Sequence, residues 1–437
     1  MTKSIVSIVK YEEPLKSVRK AVDLANGFNQ LSSKAKVFIK PNIVYWNRHC
    51  DFPKWGVITT SRVIEDIIIL LKERGIDDIT VGEGIVSEDD ETAEHAFEKL
   101  GYNKLKDQYG INVFDTFKRP FEKVELVEGL SVKMNSDMLH SDFLVDIPVL
   151  KTHAQCVVSF GIKNLKGLIN IASRKKLHSA DPIKNLHYNV AQLANKIPPC
   201  LNIIDGIYSI ERGPAFDGKA HRSNILVASN DIFAADVVGT MLFDIDPSAV
   251  PHLVQAAKDR NRPLDLSDID IKGEKVEDLA SPHEWDYIYA DNNTLPLPYQ
   301  KAGISGIKYH KYDETMCTYC SGLNGILLSG IKMAWKGEPF DNIEVLTGKV
   351  MKPTPGMNKT ILVGQCIYNA NKDDPNINEL IAVQGCPPSV EELQKALKHA
   401  GIKVPSYIFK NLDKAPMLFM GRYQNNPEFE ESFYQIN

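Results

Sequence analysis

The chain has 437 residues, more than one hydrophobic core usually supports, so we expect two packed units. Its composition, 43% hydrophobic and 24% charged, is that of a globular protein, and its net charge of -5 excludes a global attraction to nucleic acid or to an anionic membrane. No stretch approaches the roughly 18 consecutive apolar residues of a membrane span. The short apolar run at the N-terminus predicts a first strand rather than a signal peptide, and we expect a cytoplasmic protein.

From the N-terminus onward, short runs rich in Val and Ile alternate with segments whose apolar residues recur every three or four positions, the patterns of buried strands and amphipathic helices. The predicted strands are Ile5–Val9, Val37–Ile39, Ile79–Val81, Phe143–Val149, Leu201–Ile204 and Ile225–Val227. The predicted helices are Leu15–Gln30, Ser61–Arg74, Glu91–Leu100, Ala234–Phe243 and Pro251–Asp259. This order predicts an α/β fold with a doubly wound, mostly parallel sheet and helices on both of its faces.

A polar, proline-containing stretch from about Glu274 to Lys301 interrupts this alternation and indicates a domain boundary. We expect an α/β domain over residues 1–290 and a second α/β domain, which contains the cysteine-rich part of the chain, over residues 291–437. In the second domain, Ile361–Val363 and Leu380–Val383 are predicted strands and Gly322–Trp335 is a predicted helix. If the two strands are parallel neighbours, the residues that follow them meet at one edge of the sheet.

Four of the seven cysteines lie in this second domain: Cys317, Cys320, Cys366 and Cys386. One Cys-x-x-Cys pair and two single cysteines after strands are typical of a metal centre in a reducing compartment, and thiolates select zinc or an iron–sulfur cluster. A closed zinc site would favour a second Cys-x-x-Cys pair, which the chain lacks. We therefore expect one 4Fe-4S cluster, with zinc or a redox dithiol as the alternatives.

Basic, amide and carboxylate side chains follow the predicted strands of the first domain, at the sheet edge where ligands of parallel sheets bind. Between residues 163 and 187 the chain has six Lys or Arg and one acidic residue, Asp181, although its net charge is -5. This local excess of positive charge predicts a site for a carboxylate or a phosphate. The expected substrate-binding residues are Lys40, Asn42, Lys163, Asn164 and Lys166. The expected catalytic residues are Lys151, His153 and Glu83, with His153 or Glu83 moving a proton.

Plain structural roles compete with some of these assignments. His153 is equally compatible with a hydrogen-bonded core histidine, and the basic segment Arg174–Lys176 with a solvated helix face. His178 and His187 are expected at the surface. The three other cysteines stand alone in the sequence and suggest no site: Cys50, Cys156 and Cys200.

Five motifs of the first domain resemble, in order, the domain of unknown function 362 family. They are Lys40-Pro41-Asn42, Leu150-Lys151-Thr152-His153, Ile162-Lys163-Asn164-Leu165-Lys166-Gly167, Ile204-Asp205-Gly206, and Ser229-Asn230-Asp231 with Asp236. The resemblance covers roughly Ile5 to Lys272 and implies an α/β domain in an anaerobic or cytoplasmic iron–sulfur protein, without supplying a reaction. The segment Gly385-Cys386-Pro387-Pro388 is also similar to the cluster-binding segment of hydrogenase small subunits, which implies electron transfer.

These features together predict an iron–sulfur oxidoreductase or reductase that acts on a small anionic organic substrate. Because nothing in the sequence provides a flavin or nicotinamide site, and the dinucleotide fingerprint is absent, electrons would come from a ferredoxin-like partner. One alternative is a non-redox lyase, dehydratase or isomerase in which a cluster iron acts as a Lewis acid. Another is an electron carrier or binding protein with a structural cluster. We expect the cluster to face the lysines of the first domain and expect neither nucleic acid nor membrane as a partner; a homodimer is left open.

Overall fold

The structure is a computed structural model that describes residues 3–86, 89 and 91–436. It divides into two compact units, of which unit 1 comprises Met1–Ser173, His187–Asp286 and Pro416–Asn437, and unit 2 comprises Arg174–Leu186 and Tyr287–Ala415. The main division therefore lies near the expected boundary at residue 290. Two segments depart from the expected contiguous domains, because residues 174–186 belong to unit 2 and residues 416–437 belong to unit 1.

Sixteen strands are formed by the described residues. They are β1 Ser4–Lys10, β2 Val37–Lys40, β3 Ile79–Glu83, β4 Asn112–Asp115, β5 Phe121–Val127, β6 Leu130–Asn135, β7 Phe143–Asp146, β8 Val149–His153, β9 Val157–Val158, β10 Cys200–Glu211, β11 Lys219–Ser229, β12 Ile269–Gly273, β13 Ile307–Tyr309, β14 Ile343–Leu346, β15 Lys359–Val363 and β16 Glu379–Val383.

The α-helices of the described residues vary from one turn to almost four turns. They are α1 Lys16–Leu24, α2 Ser61–Glu73, α3 Thr92–Lys99, α4 Tyr102–Tyr109, α5 Ser136–Leu139, α6 Gly161–Asn164, α7 Ile171–Leu177, α8 Leu186–Ala191, α9 Ile232–Met241, α10 Pro251–Arg260, α11 Val276–Leu279, α12 Leu297–Lys301, α13 Thr318–Ser321, α14 Asn324–Ala334, α15 Gln365–Asn371, α16 Val390–His399 and α17 Ser406–Lys410. Short 3-10 helices cover Thr116–Lys118, Leu165–Leu168, Leu193–Lys196, Pro247–Ala249, Leu412–Arg422 and Glu431–Tyr434. None of the helices in the described ranges is both long and apolar enough to cross a membrane.

The main sheet of unit 1 is mixed but mostly parallel, as the alternation of strands and helices predicts. Its order is β12-β1-β11-β10-β7-β2-β3-β4, with β8 paired to β10 and β9. The run from β10 through β7, β2 and β3 to β4 is parallel, whereas β11 is antiparallel to both β1 and β10. Strand β11 follows β10 after a short loop, which returns the chain in the opposite direction.

The predicted strand Phe143–Val149 is in fact two strands, β7 and β8, separated at Ile147 and Pro148. Proline has no amide hydrogen to donate to a neighbouring strand, so an apolar run that contains it need not continue a ladder. The break lets the chain change partners, because β7 pairs with β2 and β10 whereas β8 pairs with β10 and β9.

Unit 2 is built on a smaller sheet of four parallel strands in the order β13-β14-β15-β16. Alternate residues of β15 point to opposite faces: Ile361 and Val363 belong to the core that includes residues of α14 and α16, whereas Leu362 packs with Ile367 of α15. Unit 2 is therefore also wound on both faces of its sheet, and the residues that follow its strands lie at one edge.

Candidate functional site

Three neighbouring parallel strands of unit 1 each end in an ionisable residue. Asp146 is the last residue of β7, Lys40 of β2 and Glu83 of β3, and the register pairs Lys40 directly with Asp146. All three side chains are buried, with relative exposures of 0%, 0% and 2% in the same order. The sheet edge at which the sequence predicts polar residues therefore carries them inside the protein.

Lys40 and Glu83 form a buried ion pair with a distance of 2.8 Å between Nζ and Oε2. The carboxylate also accepts hydrogen bonds from the amides of Ile43 and Gly84, both at 2.8 Å. A Cβ atom at Gly167 would lie 2.5 Å from Cε of Lys40 and 2.6 Å from Oε1 of Glu83. Glycine at position 167 thus lets the backbone close over the pair.

Two amide side chains join this ion pair to its neighbours. Oδ1 of Asn164 accepts hydrogen bonds from Nδ2 of Asn42 at 2.7 Å and from Nζ of Lys40 at 3.2 Å. Nδ2 of Asn164 donates to Oδ1 of Asp146 at 2.8 Å. Oδ1 of Asn42 in turn accepts a hydrogen bond from Nζ of Lys151. We call these six residues the polar network: Lys40, Asn42, Glu83, Asp146, Lys151 and Asn164.

Burial shifts the pKa of two members of the polar network towards their neutral forms. It lowers the pKa of Lys151 well below the ordinary lysine value, and the positive charge of Lys163 adds to this effect. It raises the pKa of Asp146 to about 7, although the nearby Lys40 and the amide of Asn164 favour the charged carboxylate. The network therefore holds one carboxyl group, that of Asp146, whose charge can change near neutral pH.

The eight residues expected at the anion site fall into two groups. Five belong to the polar network, where Lys40, Asn42, Glu83, Lys151 and Asn164 hold one another. The others, His153, Lys163 and Lys166, are partly exposed. Nδ1 of His153 accepts a hydrogen bond from the amide of Gln155 at 3.1 Å. A solute at this edge of the sheet would therefore contact His153, Lys163 and Lys166. Glu83 is buried against Lys40, a position that suits it to hold this lysine rather than to move a substrate proton.

The four cysteines of unit 2 lie on neighbouring elements. Cys366 is in the first turn of α15, directly after β15, and Cys386 follows β16. Strands β15 and β16 are parallel neighbours, so both cysteines follow the same edge of the sheet, as expected. Cys317 immediately precedes the one-turn helix α13, which contains Cys320.

These cysteines, which we call the thiol group, interact with one another. A hydrogen bond from the side chain of Cys317 raises the pKa of Cys320, and burial and the charges of Cys386 and Cys366 raise it further. Gly364 has φ of +106°, and a Cβ at this position would lie 3.3 Å from Sγ of Cys320. A residue with a side chain is disfavoured there by both backbone conformation and space.

Two lysines of unit 2 place positive charge beside the thiol group. Nζ of Lys175 lies 3.2 Å from Sγ of Cys386 and 4.6 Å from the ring centre of Tyr319. Burial raises the pKa of Cys366, and the positive charge of Lys349 opposes this rise. The sequence left open that Arg174–Lys176 is a solvated helix face. This is wrong for Arg174, whose relative exposure is 7%. Lys175 is half-buried and lies against Cys386. No sequence signal links position 175 to position 386.

A second group of soft ligands lies in unit 1. One ligand atom from each of Cys156, His187 and His252 can be chosen so that all three lie within 4.8 Å of one another, and such a group could hold a metal ion. Burial lowers the pKa of His252 to about 3, so its imidazole is neutral. Cys156 therefore has potential partner ligands, although it stands alone in the sequence.

The two histidines that were expected at the surface are at least partly covered. His187 is partly buried. His178, in unit 2, is buried, and its Nδ1 lies 2.7 Å from the carbonyl oxygen of Glu314.

The fold and these sites define an α/β protein with a buried polar network and two groups of potential metal ligands. Residues 37–241 match the family model described as Domain of unknown function (DUF362). This segment is therefore similar to that family, in agreement with the five ordered motifs of the sequence. The match includes the whole polar network as well as Cys156 and His187.

Two proteins are similar to the chain over longer stretches. The thylakoid-associated protein sll1697 of Synechocystis sp. is 26% identical over 287 residues, which are 64% of this chain and 83% of that protein. Among solved structures, the lactate racemase apoprotein from Thermoanaerobacterium thermosaccharolyticum matches with a TM-score of 0.33 and 14% identity. This match covers 56% of the chain and 58% of the racemase.

Proposed function

We propose that the protein is an iron–sulfur oxidoreductase that acts on a small anionic organic substrate. The observation that carries the proposal is the convergence of Cys317, Cys320, Cys366 and Cys386 at one edge of the unit 2 sheet, with Lys175 against Cys386. These four thiolates would hold one 4Fe-4S cluster, and a bound cluster would supply single-electron transfer.

The arrangement of the thiol group along the chain supports a cluster over a single zinc ion. Cys317 and Cys320 form its one Cys-x-x-Cys pair, whereas Cys366 and Cys386 are single cysteines that follow strands. A closed zinc site would favour a second Cys-x-x-Cys pair.

The lysines beside the thiol group support the same proposal. Four thiolates make a cluster and its ligands negatively charged, and a cation nearby offsets part of the cost of partial burial. Lys175 contacts Cys386 directly, and Lys349 acts on Cys366. Cys366 and Cys386 are exposed, which would allow a ferredoxin-like electron donor to approach.

In unit 1 we propose that Lys163 and Lys166 bind the substrate anion and that His153 moves the proton. These three residues are partly exposed, whereas the polar network behind them is buried. Asn164, which lies between Lys163 and Lys166 in sequence, is held by Lys40 and Asn42. The network would thereby fix the backbone that presents both lysines, a positioning role for Lys40, Asn42, Lys151 and Glu83.

We also propose a cytoplasmic location, because a thiolate-bound cluster requires a reducing compartment. All seven cysteines are free thiols in the structure. The thylakoid association in the name of the relative belongs to that protein.

Anaerobic purification followed by iron, sulfide and zinc analysis tests the cluster. We expect about four irons and four sulfides per chain, and loss of the visible absorbance in the Cys→Ser variant of each thiol-group position. Cys50→Ser is the matched control and should keep the cluster. A colourless protein with one zinc per chain would overturn the proposal.

Binding experiments test the anion site. Lys163→Met should weaken binding of a carboxylate or phosphate probe at least about tenfold, since a partly buried charge contact is worth roughly 1.5–3 kcal/mol. Lys184→Met is the matched control, because Lys184 is exposed in the same basic stretch. Equal affinity in both variants would remove Lys163 from the site. If the cluster faces this site, adding the anion should also change the electron paramagnetic resonance spectrum of the reduced cluster.

Reduction of the cluster separates the proposed enzyme from a protein with a structural cluster. Dithionite should bleach the visible absorbance, and a substrate that accepts electrons should restore it. A cluster whose spectrum is unchanged by dithionite would favour the structural alternative.

A further inference from the structure

Unit 1 contains a cluster of soft ligands that the proposed redox function does not use. Cys156 lies in the turn that joins β8 to β9, His187 is in α8, and His252 is in the first turn of α10. A ligand atom of each can be chosen so that all three lie within 4.8 Å of one another. Three separate elements therefore deliver one sulfur and two imidazoles to one point.

The clearest sign of a missing ligand is His252. Its side chain has 0% relative exposure, and no described residue forms a hydrogen bond with either of its ring nitrogens. Leaving a buried polar group without a partner costs about 1–3 kcal/mol, and native proteins avoid this in most cases. A metal ion bound to one ring nitrogen would provide the interaction that the protein itself does not.

We propose that Cys156, His187 and His252 bind a single divalent transition-metal ion, zinc being the best match. One thiolate and two imidazoles are ligands that zinc prefers, and three protein ligands leave a fourth coordination position for water or another small ligand. This is the arrangement of catalytic zinc sites, whereas structural sites have four protein ligands. The fully buried positions of Cys156 and His252 would exclude competing water from one side.

The positive charge of Lys163 also acts on His252, so this site lies near one of the lysines proposed to bind the substrate anion. An anion at the fourth position of the metal would be close to a lysine charge. The metal site itself does not depend on the iron–sulfur proposal, because none of its ligands belongs to the thiol group.

Cobalt is a suitable probe, since Co²⁺ replaces zinc and its spectrum reports thiolate ligation and tetrahedral geometry. The test uses the full-length chain with Cys317, Cys320, Cys366 and Cys386 all replaced by Ser, which removes the thiol group as a competing site. We expect one Co²⁺ per chain, a thiolate-to-cobalt charge-transfer band in the near ultraviolet, and displacement of cobalt by one equivalent of zinc.

Single substitutions in that background identify the ligands. Cys156→Ser should remove the charge-transfer band, whereas Cys200→Ser, which changes another buried cysteine, should keep it. His187→Ala should weaken cobalt binding at least about tenfold, as expected for the loss of one of three ligands. His187 is only partly buried, so this variant is expected to fold even if a change at the fully buried His252 prevents folding.

Thermal unfolding gives a second measurement that needs no spectrum. One equivalent of zinc should raise the melting temperature of the chain and should not raise that of His187→Ala, because a ligand that binds only the folded state stabilises it. Binding weaker than millimolar, a charge-transfer band that persists in Cys156→Ser, or equal zinc stabilisation of both proteins would overturn the site.

Discussion

The buried ion pair between Lys40 and Glu83 allows a quantitative test of the polar network. Replacing Lys40 by Met removes the ammonium group that lies 2.8 Å from Oε2 and leaves the Glu83 carboxylate buried with two backbone amides. Removing one partner of a buried pair typically costs about 3–5 kcal/mol, because the remaining charge is neither solvated nor paired. We expect a loss of this size from the free energy of unfolding of Lys40→Met.

The double variant Lys40→Met/Glu83→Gln should be less destabilised than the sum of the two single variants. Once the charge at position 83 is removed, the missing ammonium group no longer leaves an unpaired carboxylate, and we expect a coupling energy of roughly 2–3 kcal/mol. The surface pair Arg19–Glu73 is the control. Its atoms are 2.7 Å apart, but its side chains are 38% and 44% exposed, so its coupling should stay below about 1 kcal/mol.

Urea unfolding followed by tryptophan fluorescence measures these energies. In a Trp335→Phe background all remaining tryptophans, Trp46, Trp55 and Trp285, belong to unit 1, so the signal reports the unit that contains the ion pair. A coupling energy between positions 40 and 83 that is no larger than that between positions 19 and 73 would refute a buried, mutually dependent Lys40–Glu83 pair.

Three further predictions concern the network and the thiol group. Asp146 has a pKa of about 7 in the folded protein against an ordinary value of 3.8, so its protonation favours folding most below pH 4, and this contribution is lost as the pH rises through 7. The loss of unfolding free energy caused by Asp146→Asn, measured by urea titration, should therefore be roughly 2–3 kcal/mol smaller at pH 8 than at pH 5. An equal loss at both pH values would show that Asp146 is charged throughout this range. Gly364→Ala should lower the iron content of the reconstituted protein, because Gly364 has φ of +106° and an added Cβ would lie 3.3 Å from Sγ of Cys320. Gly325→Ala is the control and should keep the iron content, because no atom lies within 4 Å of the added Cβ. Lys175→Met should lower the reduction potential of the proposed cluster by roughly tens of millivolts, since a nearby positive charge favours the reduced state. Lys176→Met, which changes an exposed lysine, should have little effect, and equal potentials for both variants in a redox titration would contradict the role of Lys175.

Much of the fold follows from patterns that extend over only a few residues. The apolar runs locate β1, β2 and β3, and the helical spacing locates α2 and α10 to within one or two residues at each end. The same local patterns place Lys40 and Glu83 after buried strands, whereas Asp146 lies inside the predicted strand Phe143–Val149 and becomes a strand end only in the structure. Because neighbouring parallel strands end at one edge, the sequence already brings Lys40 and Glu83 together, and a similar argument holds for Cys366 and Cys386.

The tertiary structure decided which of these residues are covered. The lysines of the polar network look like anion ligands in the sequence, yet Lys40 and Lys151 have 0% relative exposure and are held by amide and carboxylate oxygens. A strand pattern shows where a side chain emerges but not what packs over it. The close passage of the backbone at Gly167, which covers the Lys40–Glu83 pair, depends on contacts between distant parts of the chain.

The sequence by itself thus determined the α/β class, several central strands and longer helices, and the sheet edges from which Lys40, Glu83, Cys366 and Cys386 emerge, since these depend on periods of two and about 3.6 residues. Only the tertiary structure decided that β11 runs antiparallel, that residues 416–437 complete unit 1, and that Lys175 contacts Cys386. It also decided the meeting of Cys156, His187 and His252. Each of these features joins residues that are far apart along the chain. Such residues meet because whole helices and strands pack together, and a local periodicity in the sequence does not encode this packing.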